Sequence, residues 1–129
     1  FVYVLGTGSN DTQISTLFPE EGISAALNYE KNEIALPGDY SSFVMDETVG
    51  TDYLVVLFSK SKIDISSLQS ELSQGTGHIS DKMKRALGNK LIETKNITYD
   101  PESIKFRVKQ NSKSDGIMVM VLAFEHIAK

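Results

Sequence analysis

Cysteine and tryptophan are absent from this 129-residue chain, and proline and histidine are scarce, with three and two residues. Without cysteine, the chain can form no disulfide, thiol nucleophile, zinc ribbon or cysteine-ligated iron–sulfur cluster. Its longest apolar run, Ile117–Phe124, is far shorter than the roughly 20 residues that a membrane-spanning helix needs. We therefore expect no membrane insertion by this chain.

Positively charged residues are also fewer than negatively charged ones. Lysine and arginine total 13 against 17 aspartate and glutamate residues, so the formal net charge is −4. A nucleic-acid-binding domain normally carries a basic face and a positive net charge, so we expect no nucleic-acid partner. The 40% of hydrophobic residues is enough for a packed core, and the length fits a single domain spanning 1–129.

The chain begins inside an apolar run and without methionine, since Phe1 opens the run Phe1–Leu5. This predicts a fragment of a longer protein that begins close to a strand. A targeting signal could then lie upstream, so the sequence leaves both a cytoplasmic and an exported location open.

The first half of the chain is predicted to be strands separated by turns. β-Branched and aromatic residues bounded by glycine, proline and asparagine are typical of strands. The predicted strands are Phe1–Leu5, Ile14–Phe18, Glu33–Leu36, Tyr40–Met45 and Asp52–Ser59. Pro19 and Pro37 are expected to end strands, and Gly50 to allow a turn backbone that a Cβ disfavours.

The hydrophobic period changes after Lys62 and predicts a pair of helices over about 64–93. Asp64 is a suitable N-cap for a helix that begins at Ile65, with Ile63 and Leu68 placed as a hydrophobic staple. A second helix is expected to begin at Ser80, with Met83, Leu87 and Leu91 on one face, and Gly88 is expected to weaken its middle. Lys82, Lys84, Arg85 and Lys90 are expected to lie mostly on other faces.

Strands return towards the end of the chain, where apolar and cationic residues alternate over 104–109 before the apolar strand Ile117–Phe124. Strands, two helices and further strands predict a mainly-β or α+β fold. We expect an antiparallel, β-sandwich-like single domain with an inserted helical pair.

No motif in the chain predicts catalysis. Gly6-Thr7-Gly8 lacks the third glycine of a dinucleotide fingerprint and the Gly-Lys-Ser/Thr of a phosphate loop, so it predicts a hairpin turn. His78 and His126 lack ligand-like spacing and are interpreted as two isolated histidines at the surface or at the rim of the core. The acidic pairs at 20–21 and 46–47 and the lysine-rich second helix are interpreted as solvated surface. We expect no catalytic, cofactor-binding or metal-binding residues, no cofactor, and no enzyme activity.

Several short motifs occur together in an order that resembles a known family. They are Leu17-Phe18-Pro19, the segment Asn32–Pro37, Asp46, the run Gly50–Leu54 and the strand end Leu57-Phe58-Ser59. This arrangement, over about Val2 to Ser59, resembles the bacterial domain of unknown function 4384 family. The helical segment Asp64–Glu93 is longer than the family's minimal pattern.

The resemblance implies a β-sandwich-like accessory domain of bacterial origin. Members of that family are commonly attached to caspase-like peptidases, protein kinases or envelope proteins, and no catalytic residues are established for them. We therefore expect a non-enzymatic binding or regulatory module whose partner is a second protein or a neighbouring catalytic domain, with the helical pair as its contact surface. The alternatives are a small-ligand-binding domain and a structural spacer of an envelope protein.

Overall fold

A computed structural model describes residues 1–8, 13–26, 48–100, 102, 106–109 and 115–127 of the chain. Along these residues, three strands are followed by two helices and then by three more strands. The elements are β1 Val2–Thr7, β2 Ile14–Phe18, β3 Gly50–Ser59, α1 Ile65–Gln74, α2 Ile79–Leu87, β4 Ile97–Tyr99, β5 Phe106–Val108 and β6 Ile117–His126. Two short 3₁₀ turns lie at Gly88–Lys90 and Thr94–Asn96.

The main sheet has four antiparallel strands in the order β2-β1-β3-β6. Its longest ladder joins β3 and β6, in register from Gly50↔His126 to Ser59↔Ile117. β4 and β5 pair separately as a small two-stranded sheet. No helix among the described residues is long and apolar enough to cross a membrane.

Side chains alternate between the two faces of the main sheet, and each face builds its own core. On the helical face, Tyr3, Leu5, Val55 and Leu57 pack against the apolar stripe of the helices, formed by Leu68, Leu72, Ile79, Met83 and Leu87. The hydroxyl of Tyr3 accepts a hydrogen bond from the Ile63 N–H at 2.9 Å, which ties the start of α1 to the sheet. The helical pair is therefore one of the two layers that enclose the larger core.

The opposite face carries a smaller cluster of Val2, Val4 and Phe18, with Leu17 and Phe58 packed against it. A register shift in the β1–β2 ladder makes this possible, because Val4 pairs with Phe18 whereas Leu5 pairs with Thr16. The extra residue, Leu17, lies over Gly6, where a Cβ would come within 2.8 Å of its Cδ1. The small sheet contacts this face through Phe106, whose ring lies 4.8 Å from that of Phe58.

The predicted fold class is confirmed: the chain is a mainly-β, α+β protein with antiparallel sheets and two helices. The strand at 14–18, its end before Pro19 and the Asp64 cap agree with the sequence predictions. β1 and β2 are antiparallel neighbours as expected, but Gly6 and Thr7 lie in β1 and pair with Ser15 and Ile14, so the prediction that they form the turn is wrong. The predicted strands Glu33–Leu36 and Tyr40–Met45 lie outside the described residues.

The prediction of one helix running through Gly88 is wrong. α2 begins at Ile79 and ends at Leu87, and Gly88 is its C-cap with φ 52° and ψ −123°. This backbone conformation is one that a Cβ disfavours, so glycine ends the helix here. Leu91 follows in an extended backbone and forms a parallel bridge with Ile117 of β6.

Candidate functional site

An aspartate–histidine pair lies at the end of the main sheet where β3 begins and β6 ends. Because Asp52 pairs with Phe124 and Gly50 with His126, the side chains of Asp52 and His126 project from the same face as diagonal neighbours. His126 Nε2 lies 3.1 Å from Asp52 Oδ2, and the two side chains are only 18% and 13% exposed. The antiparallel register therefore creates a largely buried polar pair from residues far apart in the chain.

One oxygen of this carboxylate has no hydrogen-bond donor among the described residues. Asp52 Oδ1 is buried and unpaired, while Oδ2 is held by His126. Buried acceptors in native proteins are almost always paired, and leaving one unsatisfied costs about 1–3 kcal/mol. The oxygen is thus a buried acceptor whose bonding capacity is unused.

The surroundings of the pair are apolar. Leu54 and Val56 follow Asp52 on the same face of β3, and Leu122 and Phe124 lie beside them on β6. Replacing a buried charged pair by apolar residues of similar size is often neutral or stabilising. A polar pair at this position is therefore poorly explained by stability, and departures of this kind concentrate at functional sites.

Exposed apolar side chains lie at the same end of the sheet as the pair. Among the described residues, five large hydrophobic side chains are exposed, and three of them lie at this end of the sheet. These are Val49 at 61%, Phe124 at 37% and Ile127 at 77% exposure. We call this end of the sheet, with Val49, Asp52, Phe124, His126 and Ile127, the sheet-end patch.

The two strand segments that form the sheet-end patch contain few charged residues. The two segments that form it, residues 48–54 and 122–127, contain Asp52 and Glu125 but neither lysine nor arginine. Glu125 is exposed and projects from the other face of β6. Of these two segments, the carboxylate on the face of the pair is therefore that of Asp52.

The helical pair, predicted as the contact surface, has a different character. Its apolar stripe is buried in the core, and its solvent side is dominated by serines on α1 and charged residues on α2. A shallow cleft of about 230 Å³ separates the helices, and Arg85 crosses it to donate to the Thr76 carbonyl oxygen. Lys82 lies in this cleft at 4% exposure, so its expected place on the solvated surface is wrong. The aliphatic part of Lys82 packs beside Gly75.

The two histidines belong to separate environments on opposite faces of the sheet. His78 is the N-cap of α2, where its Nδ1 accepts the Ser80 N–H at 3.2 Å, and its ring lies nearly perpendicular to that of Tyr53, 5.0 Å away. The interpretation of His126 as isolated is wrong, because it is paired with Asp52. The described residues contain no group of three metal-ligating side chains.

A third surface feature lies on the small sheet. An open groove of about 370 Å³ on the small sheet is lined by Thr98, Tyr99, Asp100, Phe106 and Arg107. Of the acidic pairs singled out in the sequence, Glu20 and Glu21 are exposed in a turn, as expected. The pair at 46–47 lies outside the described residues.

Sequence reasoning missed the Asp52–His126 pair. Asp52 entered only as part of the run that resembles a family, and His126 was placed only near the chain end. The sequence does contain a signal for this site, because Asp52 and His126 are polar residues near the ends of otherwise apolar strands. The pairing itself depends on the β3–β6 register, which sequence alone leaves open.

No protein-family model, no curated protein and no solved structure matches this chain. The resemblance to the domain of unknown function 4384 family therefore stays a prediction that rests on the residues named above.

Proposed function

We propose that this chain is a non-enzymatic binding module and that the sheet-end patch is its contact surface. The observation that carries the proposal is the Asp52–His126 pair, a largely buried polar pair with an unsatisfied carboxylate oxygen on an apolar sheet face. The resemblance predicts that the module is part of a larger bacterial protein, for example a caspase-like peptidase. The sheet-end patch would then bind either a neighbouring domain of that protein or a second protein.

The composition of the patch supports this role. Protein interfaces combine an apolar, aromatic centre with a few desolvated polar groups that set register and specificity. Val49, Phe124 and Ile127 supply exposed apolar area, and Asp52 with His126 supplies the polar element. The solvent side of the helical pair offers no comparable apolar area among the described residues, so we prefer the sheet end to the predicted helical surface.

A rigid scaffold holds the patch in place. β3 and β6 are both ten-residue strands joined along their whole length, and the patch lies where this ladder ends. Sites built on strands keep their geometry better than sites on loops, which lowers the entropy lost on binding.

The proposal is tested by site-specific photo-crosslinking in the complete parent protein, expressed in its source cells. A benzoylphenylalanine replaces Phe124 in one variant and exposed Lys84 of α2 in the control, so that the sheet end and the helical surface are compared directly. We expect a discrete adduct from position 124, reduced strongly by the added pair Asp52→Leu and His126→Leu.

Each other result contradicts the proposal. A discrete adduct from position 84 alone would identify the helical surface as the contact surface. The absence of an adduct at both positions would favour a structural spacer. An adduct at 124 that is unchanged by the double substitution would show that the polar pair plays no part in docking.

A further inference from the structure

We propose that the outer edge of β6 pairs with β6 of a second copy of this chain, so that the two main sheets join into one. This inference goes beyond the proposed function, because it concerns the backbone edge of β6 and not the polar pair of the sheet-end patch. Three features of β6 carry it: apolar side chains on both faces, outward backbone groups that are not paired within the described residues, and a free length that is complementary to itself.

β6 has the composition of a central strand but lies at the edge of the main sheet. It is ten residues long and comes last in the order β2-β1-β3-β6. Residues 117–124 contain neither a charged residue nor a proline on either face, and the ladder to β3 has no register shift. Edge strands are normally short, charged, bulged or interrupted by proline, because an unprotected edge pairs with other strands. β6 therefore lacks these protective features over most of its length.

The backbone groups of every second residue of β6 point away from β3. Ser59 of β3 exchanges both of its backbone hydrogen bonds with Phe1, so its partner on β6, Ile117, directs its own N–H and C=O outwards. The Ile92 N–H donates to this Ile117 carbonyl oxygen at 2.9 Å. The alternation of an antiparallel ladder continues along the strand. The next outward residues, which no described strand pairs, are Val119, Val121, Ala123 and Glu125.

The second half of this edge is open to solvent. Ala123, Phe124 and Glu125 are all exposed, although successive residues project from opposite faces of the sheet. Their partners on β3, residues 51–53, are all less exposed. Because the difference lies between the two strands and not between the two faces, it arises on the side of β6 that β3 does not cover. A further strand can approach β6 from that side.

β6 of a second copy fits this edge. The bond from Ile92 closes the edge at Ile117, so the free part is residues 118–126, with Leu122 at its centre. A twofold axis perpendicular to the sheet then places Leu122 opposite the partner's Leu122, and Met120 opposite the partner's Phe124. Apolar side chains thus meet apolar side chains across the strands. The two Glu125 side chains lie about 20 Å apart, beyond the screening length of about 10 Å, so they do not oppose the contact.

The size of this contact predicts a weak, reversible dimer. Four outward residues on each strand give about eight backbone hydrogen bonds, which is within the usual range for a protein interface. The contact is about 30 Å long and one sheet, about 10 Å, thick, so the area that it buries is at the low end of specific interfaces. We therefore expect a dimer that dissociates on dilution.

Analytical ultracentrifugation of the chain from about 5 to about 500 µM tests this, because a weak dimer forms only at the upper end. We expect the sedimenting mass to rise from that of one chain to that of two. Ala123→Lys puts a charge on the exposed edge and should weaken the dimer at least about tenfold. Ser15→Lys is the matched control on the exposed part of β2, the opposite edge of the sheet, and should leave the dimer unchanged.

Hydrogen exchange of single amides locates the contact. The outward amides of Val121 and Ala123 should exchange more slowly at high concentration, whereas that of Leu122, which points to β3, should not change. A chain that stays monomeric, a dimer that Ala123→Lys leaves intact, or outward amides already protected in the monomer would each overturn the inference. An adduct at position 124 with a different protein, from a chain that stays monomeric, would reject the second copy and leave the proposed function standing.

Discussion

At the scale of single residues, the Asp52–His126 pair makes a prediction about stability. His126→Ala removes the donor to a carboxylate that is already short of one, so we expect a loss of about 1–3 kcal/mol of unfolding free energy. The double variant Asp52→Leu with His126→Leu removes both polar groups and should recover most of that loss. Urea denaturation followed by circular dichroism measures both.

Glu125→Ala is the matched control for this prediction, because Glu125 is exposed on the other face and should change stability little. A double variant less stable than His126→Ala would show that the pair stabilises the fold. The case for a functional pair would then lose its main support.

A second prediction at this scale concerns how Asp64 makes the stability of the fold depend on pH. The Ser67 backbone N–H and then its hydroxyl donate to the Asp64 carboxylate, and these bonds lower the pKa of Asp64. A carboxyl whose pKa is lower in the folded state stabilises the fold above its unfolded pKa. That stabilisation is lost as the pH falls through the folded-state pKa.

Asp64→Asn keeps an N-cap but removes the titration. We expect the variant to lose less stability than the parent chain as the pH falls from neutral towards 3, measured by urea midpoints at each pH. Parallel loss in both proteins would contradict the assignment of this pH dependence to the cap.

At the scale of elements, the end of α2 depends on one glycine. Gly88 has φ 52°, so Gly88→Ala should cost about 1–3 kcal/mol although no atom lies within 4 Å of the added Cβ. Gly75→Ala is the control, because Gly75 has φ −76° and its Cβ would meet Lys82 at an ordinary 3.4 Å. Thermal unfolding compares the two, and equal midpoints would contradict a conformational role for Gly88.

Sequence reasoning succeeded best at this scale where the signals are local. The cap at Asp64, the strand ended by Pro19 and the alternation in β5 each depend on residues a few positions apart. It failed at Gly88 because the four-residue spacing of Met83, Leu87 and Leu91 suits a continuing helix equally well. Tertiary contact decides this point, since Leu91 bridges to Ile117 and the Ile92 N–H donates to the Ile117 carbonyl.

At the scale of the whole molecule, the helical pair cannot be separated from the sheet. Leu68, Leu72 and Met83 cover the same core as Leu5 and Leu57, all nearly inaccessible to solvent. Deleting residues 64–93 with a short linker exposes that face, so we expect an unfolded or molten chain. A collapsed amide spectrum and binding of a hydrophobic dye would report it.

The control for this deletion removes two charged side chains from α2 and leaves both helices in place. Lys84→Ala with Arg85→Ala leaves the apolar stripe intact and should keep a dispersed amide spectrum. A well-dispersed spectrum from the deletion itself would show that the helices are an appended element, as the sequence suggested, and not a layer of the core.

The sequence by itself determined the fold class, the two helices and several strands, together with boundaries such as the Asp64 cap and the strand end before Pro19, because hydrophobic period, caps and turn residues act over a few neighbouring positions. Only the tertiary structure decided which distant residues meet. The β3–β6 register places Asp52 beside His126, the packing of α2 on α1 buries Lys82, and the shift at Leu17 turns Phe18 to the opposite face. These outcomes depend on strand register and layer packing, in which a slip of one residue would reverse every side chain.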